Sequence, residues 1–352
     1  MKVGVIGFPL SGKSTLYRAA AGGQAKGDVT AVPFPDARFD QIVAQVKPKK
    51  ATPASIILHD DVPAIEAGAR KTLSQRFLDQ ARNVDVLLHV VRAFDSPMAP
   101  YHDSIDPLRD METVDVELVL NDLAIMESRL MRLNKMQQSR QPGSPEYTEQ
   151  MLFSRLKPVL EDGTPLRDQE LSEEEAKTCR DYQFLSAKET VIAFNIAEDD
   201  AVDGRADLNE KIVELGEKGT QAFQVCATLE EEIAQLTPED QPEFLESLGL
   251  SEPASAKVVR AVYGALGLIT FFTIGDHETR AWPLPEGASA VRAAHTIHSD
   301  IARGFIRAEV VHFDQYVEAG SVDVANKSGR MKLEGKEYVV QDGDLLRIRN
   351  KT

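Results

Sequence analysis

Near the N-terminus, Gly7-Phe8-Pro9-Leu10-Ser11-Gly12-Lys13-Ser14 fits G-x-x-x-x-G-K-[ST]. Each residue type there has a chemical use. The glycines let backbone N–H groups turn inward around phosphate oxygens. Lys13 reaches the β- and γ-phosphates, and the Ser14 hydroxyl ligates Mg²⁺. The motif needs a strand before it and a helix after it, whose N-terminus adds partial positive charge. Lys2–Ile6 reads as a short buried strand, and Ser14–Ala21 as a helix ended by Gly22-Gly23. The phosphate site is therefore expected on Gly7, Pro9, Leu10, Ser11, Gly12, Lys13, Ser14 and Thr15, with Lys13 also carrying catalytic charge.

A second constellation, Asn195-Ile196-Ala197-Glu198, follows the apolar run Thr190–Phe194. G domains place Asn-Lys-x-Asp there, and the Asp accepts two guanine N–H donors. Glu198 is one methylene longer and Ile196 replaces the Lys. The acceptor pair is displaced, so guanine selection should weaken, while Ile196 can cover a base apolarly. Alone, Asn and Glu after a strand are ordinary loop residues; the phosphate motif gives them weight. Val225-Cys226-Ala227 stands where G domains set a backbone loop against the base, which brings Cys226 and Ala227 into the expected base site.

The elements that must position these groups alternate. Ala54–His59, Val84–Arg92, Thr190–Phe194 and Phe223–Val225 are strand-length apolar runs, and Leu73–Arg82 reads as a helix. Alternation of this kind implies an α/β domain with a parallel-rich sheet covered on both faces. From Glu112 to Arg140 the pattern becomes helical. Val116, Val119, Leu123, Met126, Leu130 and Leu133 form a heptad seam, broken at Gln141-Pro142-Gly143-Ser144-Pro145. Glu146–Leu160 and Ser172–Leu185 continue as helices. The reading is a helical hairpin arm inserted into the domain; an amphipathic helix lying on the sheet is the alternative. Pro238–Leu248 and Ala254–Gly267 close the first domain. Strands at Leu268–Thr273, Thr279–Leu284, Ile306–His312, Glu337–Val340 and Leu345–Ile348, with one helix near Ser289–Ser299, suggest a β-grasp (ubiquitin-like) module. The expected boundaries are 1–111 and 186–267 for the P-loop domain, 112–185 for the arm and 268–352 for the terminal module.

The chain has 352 residues and a formal net charge of −16. The excess is local: residues 141–260 carry 27 acidic against 11 basic side chains, and the outer thirds are near neutral. That argues against coating DNA and leaves the outer thirds able to meet RNA. No apolar run is long enough for a membrane span. Cys179 and Cys226 form no CxxC pair, which disfavours a disulfide framework or cysteine zinc site and fits a cytoplasmic chain. His89, His295, His298 and His312 show no metal-ligand spacing. Trp282 reads as core.

Together these stretches resemble the YchF-type ATPases of the Obg-related P-loop family over nearly the whole chain. Val32-Pro33-Phe34-Pro35-Asp36, Val46-Lys47-Pro48-Lys49-Lys50, His89-Val90-Val91-Arg92, Asp106-Pro107-Leu108-Arg109-Asp110, Arg280-Ala281-Trp282 and Asp342-Gly343-Asp344 carry the likeness alongside Gly7–Thr15 and Asn195/Glu198. The resemblance implies a G domain, an inserted helical arm, a C-terminal TGS domain, and ATP preferred to GTP through Asn-x-x-Glu. It also implies association with ribosomes and translation or stress control, and a loop histidine in hydrolysis, for which His102 stands nearest; a loop histidine without a role is the other reading.

Two departures from the family bear on turnover. The switch I stretch Asn-Tyr-Pro-Phe-x-Thr-Ile is missing by about a dozen residues, and Thr30 is the nearest hydroxyl. Switch II reads Asp60-Asp61-Val62-Pro63-Ala64-Ile65, taken as Asp61-x-x-Ala64 with Asp61 on the Mg²⁺ water and Ala64 in place of Gly. Pro63 stiffens the stretch. An intact cradle with altered sensors implies ATP or GTP binding with Mg²⁺, and slow hydrolysis. The readings are an ATPase regulating contact with the translation machinery, or a weakly catalytic nucleotide-binding adaptor that meets RNA or protein through its TGS domain and arm. A metabolic kinase fits less well. Arg280, Arg292, Arg303, Arg307, Lys327, Arg330, Lys332 and Lys336 could form an RNA face or be scattered solvated charges.

Overall fold

The computed structural model describes all residues except 23, 24, 26, 66–72, 102, 138, 140, 238, 251, 276 and 352. Among the described residues the strands are, in chain order, β1 (Lys2–Ile6), β2 (Val29–Pro33), β3 (Lys50–Thr52), β4 (Ser55–His59), β5 (Val86–Ala93), β6 (Glu189–Ile196), β7 (Ala222–Val225), β8 (Leu268–Thr273), β9 (Glu278–Pro285), β10 (Phe305–His312), β11 (Lys332–Glu334) and β12 (Asp344–Asn350). They form two six-stranded sheets. The chain divides into two compact units, Met1–Val32 with Ile57–Ala261, and Pro33–Ile56 with Val262–Thr352.

The sheet of the first unit runs in the order β2-β4-β1-β5-β6-β7. β1 pairs in parallel with β4 and β5, β5 with β6, and β6 with β7. Every residue of β5 and all but the first of β6 are buried, as a parallel sheet covered on both faces requires. These are the apolar runs that marked the strands in the sequence. Parallel pairing collects the C-terminal ends of β1, β4, β5, β6 and β7 at one edge, where ligands bind in such folds.

The arm begins with helix Pro107–Leu133, whose N-cap Asp106 accepts from the Arg109 N–H. It continues through Pro145–Glu161, capped by Ser144, and Glu173–Asp181, begun by a Ser172/Glu175 capping box. Val119, Met126, Leu152, Phe153, Leu156 and Phe184 give it a core of its own. The seam departs from the sequence reading at one place. Val116 is exposed, because the base of the long helix turns Val114 and Leu118 onto Leu87 of β5 and Phe77 of the helix Gln75–Arg82 instead. Both sequence readings therefore hold, each for one end of the helix. The buried Asp122 fixes the return, accepting from Leu185 N–H at 3.0 Å and Ser186 N–H at 2.7 Å.

In the second unit the order is β11-β10-β12-β8-β9-β3. β8 and β9 form an antiparallel hairpin, β12 lies parallel to β8, and β10 pairs antiparallel with β12 and β11. The helix Ala290–Ile297 packs Ala290, Ala293 and Ala294 against Phe271, Leu284, Ala308 and Leu346. Small residues on that face let the helix approach the sheet closely. Glu337–Val340 is not a strand; it makes a single bridge, Ser289 to Val339. Asp344 organises the turn after it, accepting from Tyr338 Oη at 2.8 Å and Gln341 N–H at 2.9 Å.

Pro33–Ile56, which the sequence grouped with residues 1–111, sits in this second unit. β3 pairs in parallel with β9, Phe39 stacks on Phe272 at 6.3 Å, and Phe34 stacks on Tyr263 at 4.3 Å. Arg38 bridges Asp36 and Asp342. These pairings are long in sequence separation, so no local pattern announces them.

His89 lies within β5 with 2% of its surface exposed. Burial lowers its pKa from 6.5 to about 4, so the folded chain holds it neutral. Above pH 6.5 that costs nothing; as pH falls, the unfolded chain binds a proton the folded one refuses, until about pH 4. We expect the chain to lose roughly 2–3 kcal/mol between pH 7 and about 4.5 from this group. Urea unfolding of His89→Asn at both pH values checks it: a variant that loses as much stability as wild type refutes the assignment.

Candidate functional site

Gly7–Thr15 leaves the end of β1, turns, and enters the helix Lys13–Ala20. Two glycines make the turn possible. Gly7 has φ +151° and a Cβ there would sit 2.5 Å from the Val90 carbonyl oxygen. Gly12 has φ +93°, and a Cβ would overlap the Asn195 amide nitrogen. Leu10, exposed at the crest, is one of few non-glycine residues held at positive φ, 62°. Ser14 is exposed at the head of the helix, while Ser11 is buried and its hydroxyl has no hydrogen-bond partner.

Lys13 turns back under the loop. Its Nζ donates to Asp60 Oδ1 at 3.0 Å, to the Val62 carbonyl at 3.1 Å and to the Val5 carbonyl at 3.4 Å. The lysine and Asp60 side chains are only 12% and 11% exposed. Asp61, read from sequence as the Mg²⁺-side carboxylate, is not among the acceptors of Lys13. Its Oδ1 lies 3.4 Å from His59 Nδ1 and is buried without a hydrogen bond. Asp60 is thus the acid that reaches the phosphate-loop lysine, a contact the sequence reading did not assign. The signal was present: Asp60 is the first residue past β4, on the side where Ile56 and Leu58 point.

The switch II segment is tied down at its far end. The Ile65 N–H donates to the Gly7 carbonyl at 3.0 Å and its side chain is buried among Phe8, Val62 and Phe77. Thr30 lies inside β2, with eight residues between the helix end at Ala20 and Val29. Tyr17 Oη donates to the Gly27 carbonyl and Asp60 N–H to the Asp28 carbonyl, which holds Gly27 and Asp28 against the site.

At the base end, Asn195 is 4% exposed and fully engaged. Its Nδ2 donates to the Ser11 carbonyl and its Oδ1 accepts from the Ala227 N–H, both at 3.0 Å. Ile196 ends β6 buried among Phe194, Leu208 and Leu229, so it is part of the core rather than an open apolar cover. Glu198 is exposed at the start of the short 3-10 turn Glu198–Asp200. Cys226 is buried with its Sγ 3.3 Å from Thr228 Oγ1, and Ala227 is wholly buried, its N–H spent on Asn195. His102 lies outside the described residues. Of the basic residues weighed for RNA, Arg303 pairs with Asp300, Arg330 with Glu318, and Arg280 lies over the Trp282 ring.

With this geometry in hand, comparison with known proteins is decisive. A family model described as 50S ribosome-binding GTPase matches residues 2–122. A second, for the C-terminal region of YchF GTPases and described as a protein of unknown function, matches residues 268–351. The ribosome-binding ATPase YchF of Bacillus subtilis is 36% identical, with 99% of each chain covered. The chain belongs to the YchF family. The YchF of Haemophilus influenzae is 37% identical over 99% of this chain and 98% of its own. The solved YchF GTPase of Schizosaccharomyces pombe superposes with a TM-score of 0.86 at 27% identity, covering 99% of this chain and 97% of that one. A GTP binding protein from Pyrococcus horikoshii OT3 shares the fold, with a TM-score of 0.61 at 18% identity. Sequence reasoning did not single out Asp60, which meets Lys13, or Arg92, whose Nη1 donates to the Leu10 carbonyl at 3.0 Å. The latter showed only as part of a matching stretch.

Asn195→Ala removes two buried hydrogen bonds and strands the Ser11 carbonyl and Ala227 N–H. We expect a loss of roughly 2–3 kcal/mol in urea unfolding, with Asn195→Asp intermediate because it keeps the acceptor. Wild-type stability in Asn195→Ala would refute the bridge.

Proposed function

We propose that this chain is an ATP-hydrolysing nucleotide switch of the YchF type that acts on the ribosome. The observation that carries the proposal is the phosphate cradle: Gly7 and Gly12 at positive φ, the helix N-terminus behind them, and Lys13 folded under the loop beside Asp60. That arrangement offers backbone N–H groups and one cation to a triphosphate tail. The curated relatives named ribosome-binding ATPases support ATP as the nucleotide and the ribosome as partner. The exposed Glu198, a longer acceptor than the aspartate that reads guanine, agrees with adenine preference.

Lys13 would exchange Asp60 for the β- and γ-phosphates as nucleotide enters. Mg²⁺, which neutralises phosphate charge when bound, fits the donor set of an exposed Ser14 hydroxyl and the carboxylates Asp60 and Asp61. The orphaned Asp61 Oδ1 is an acceptor awaiting such a partner. Phosphoryl transfer is mostly positioning and charge stabilisation, so weak sensors slow it more than they weaken binding. The short connection before β2 and the Ile65–Gly7 tether both limit how far the switches can close on a γ-phosphate. They support slow turnover, in a cytoplasmic chain.

Those same tethers favour a second reading, a nucleotide-binding adaptor with little hydrolysis. Single-turnover ATP hydrolysis separates the two. A rate comparable to that of a family member with full switches would refute slow turnover, and no hydrolysis above Lys13→Ala would leave the adaptor. Calorimetry with MgATP should show binding that collapses in Lys13→Ala; undiminished binding there would sink the site. A thermal-shift panel with ATP, ADP, GTP and GDP should show stabilisation by the adenine nucleotides first, and stabilisation by guanine nucleotides alone would overturn the base assignment.

A further inference from the structure

Arg92 is 1% exposed, among the largest wholly buried side chains, and pairs with no carboxylate among the described residues. A buried cation without a counter-charge is costly unless its donors are met. Here three backbone carbonyls from separate stretches meet them. Nη1 donates to Leu10 at 3.0 Å, Nη2 to Ala99 at 2.7 Å and Nε to Phe94 at 3.1 Å. The guanidinium also lies 4.3 Å from the Phe94 ring centroid and 4.8 Å from that of Tyr101. Packing alone would be served by an apolar side chain of similar length; the fork is needed only if those three carbonyls must be held together.

The β5–β6 register sets Arg92 directly opposite Asn195. The two residues grip consecutive carbonyls of the phosphate loop, Leu10 by Arg92 and Ser11 by Asn195. Leu10 is the residue held at φ 62°, a conformation that costs a leucine energy unless something fixes it. On its other side Arg92 faces Tyr101, whose Oη donates to Asp110 at 2.8 Å in the first turn of the long arm helix. Asp110 is itself buried and bonded to Arg109.

We propose that Arg92 is a positioning residue that fixes the left-handed crest of the phosphate loop and links it, through the loop Phe94–Tyr101, to the root of the helical arm. Nucleotide seated under Leu10 then tightens the Arg92 fork, and the fork tightens the loop that carries Tyr101 against Asp110. The inference rests on the nucleotide reading for its binding arm, while its geometric arm stands without nucleotide.

The test uses the full chain with Arg92→Lys, which keeps a cation over the rings and loses the three-way fork, and Arg92→Met, which keeps only the stem. In the nucleotide-free protein, amide exchange at Leu10, Ser11 and Gly12 should quicken by about tenfold or more in Arg92→Lys. Its affinity for MgATP, by calorimetry, should fall by about tenfold. MgATP should slow exchange across Phe94–Tyr101 in wild type and fail to do so in Arg92→Lys. Should Arg92→Met not fold, Arg92→Lys decides alone. Unaltered exchange at Leu10–Gly12 together with unaltered MgATP affinity would overturn the proposal. If wild type itself binds no nucleotide, the nucleotide reading fails, and the nucleotide-free exchange comparison still judges Arg92.

Discussion

The side-chain amide of Asn195, bonded to the Ser11 carbonyl on one side and the Ala227 N–H on the other, is the contact on which the site depends. It joins three segments that are far apart in sequence: the phosphate loop, the end of β6 and the turn after β7. An amide is the group that can do this, since it carries a donor and an acceptor on one rigid plane. The parallel register makes the contact possible, by bringing the ends of β1, β6 and β7 to the same edge. Gly12 then has to be glycine, because the amide occupies the space a side chain would need. Glu198, three residues on, is exposed just past the strand end that Asn195 fixes.

The ion pair of Lys13 with Asp60 is the second constraint. Both groups are mostly withdrawn from water, and the lysine also takes two backbone carbonyls. The cradle is therefore preorganised, with its cation held near where phosphate charge would arrive. The cost is that phosphate must compete with a carboxylate already in place. A triphosphate brings several negative oxygens and can outcompete one carboxylate; a weaker anion does so less well.

The sequence carried the central strands well, because β1, β5 and β6 are near-continuous apolar runs and both ends of the phosphate motif are marked by glycine. It also carried the arm, through its heptad spacing, although Val116 showed that one helix can change partners along its length. It missed what depends on side-chain direction at strand ends. Asp60 and Asp61 are chemically equal in sequence, and only the pleat of β4 decides which faces Lys13. Arg92 was legible as an arginine ending a buried strand, but its acceptors are backbone carbonyls, which no residue type announces. Ile196 read as a surface for a base and proved to be core, since β6 runs two residues further than its apolar stretch suggested. Pro33–Ile56 was misplaced because its partners, Tyr263, Phe272 and β9, lie more than two hundred residues away.

That last segment changes what counts as a module. Sequence similarity to the C-terminal family begins at residue 268, yet the unit that folds there also includes Pro33–Ile56 and the chain from Val262. A fragment cut at the similarity boundary would leave Phe272 without Phe39, β9 with a bare edge in place of β3, and Asp342 without Arg38. Open strand edges with an uncovered aromatic beside them are an invitation to aggregate. The terminal half of this chain is thus not a detachable tail: an early stretch, made long before it in synthesis, has to wait for it, and the polypeptide is finished as a fold only when its last eighty or so residues have returned to the first sixty.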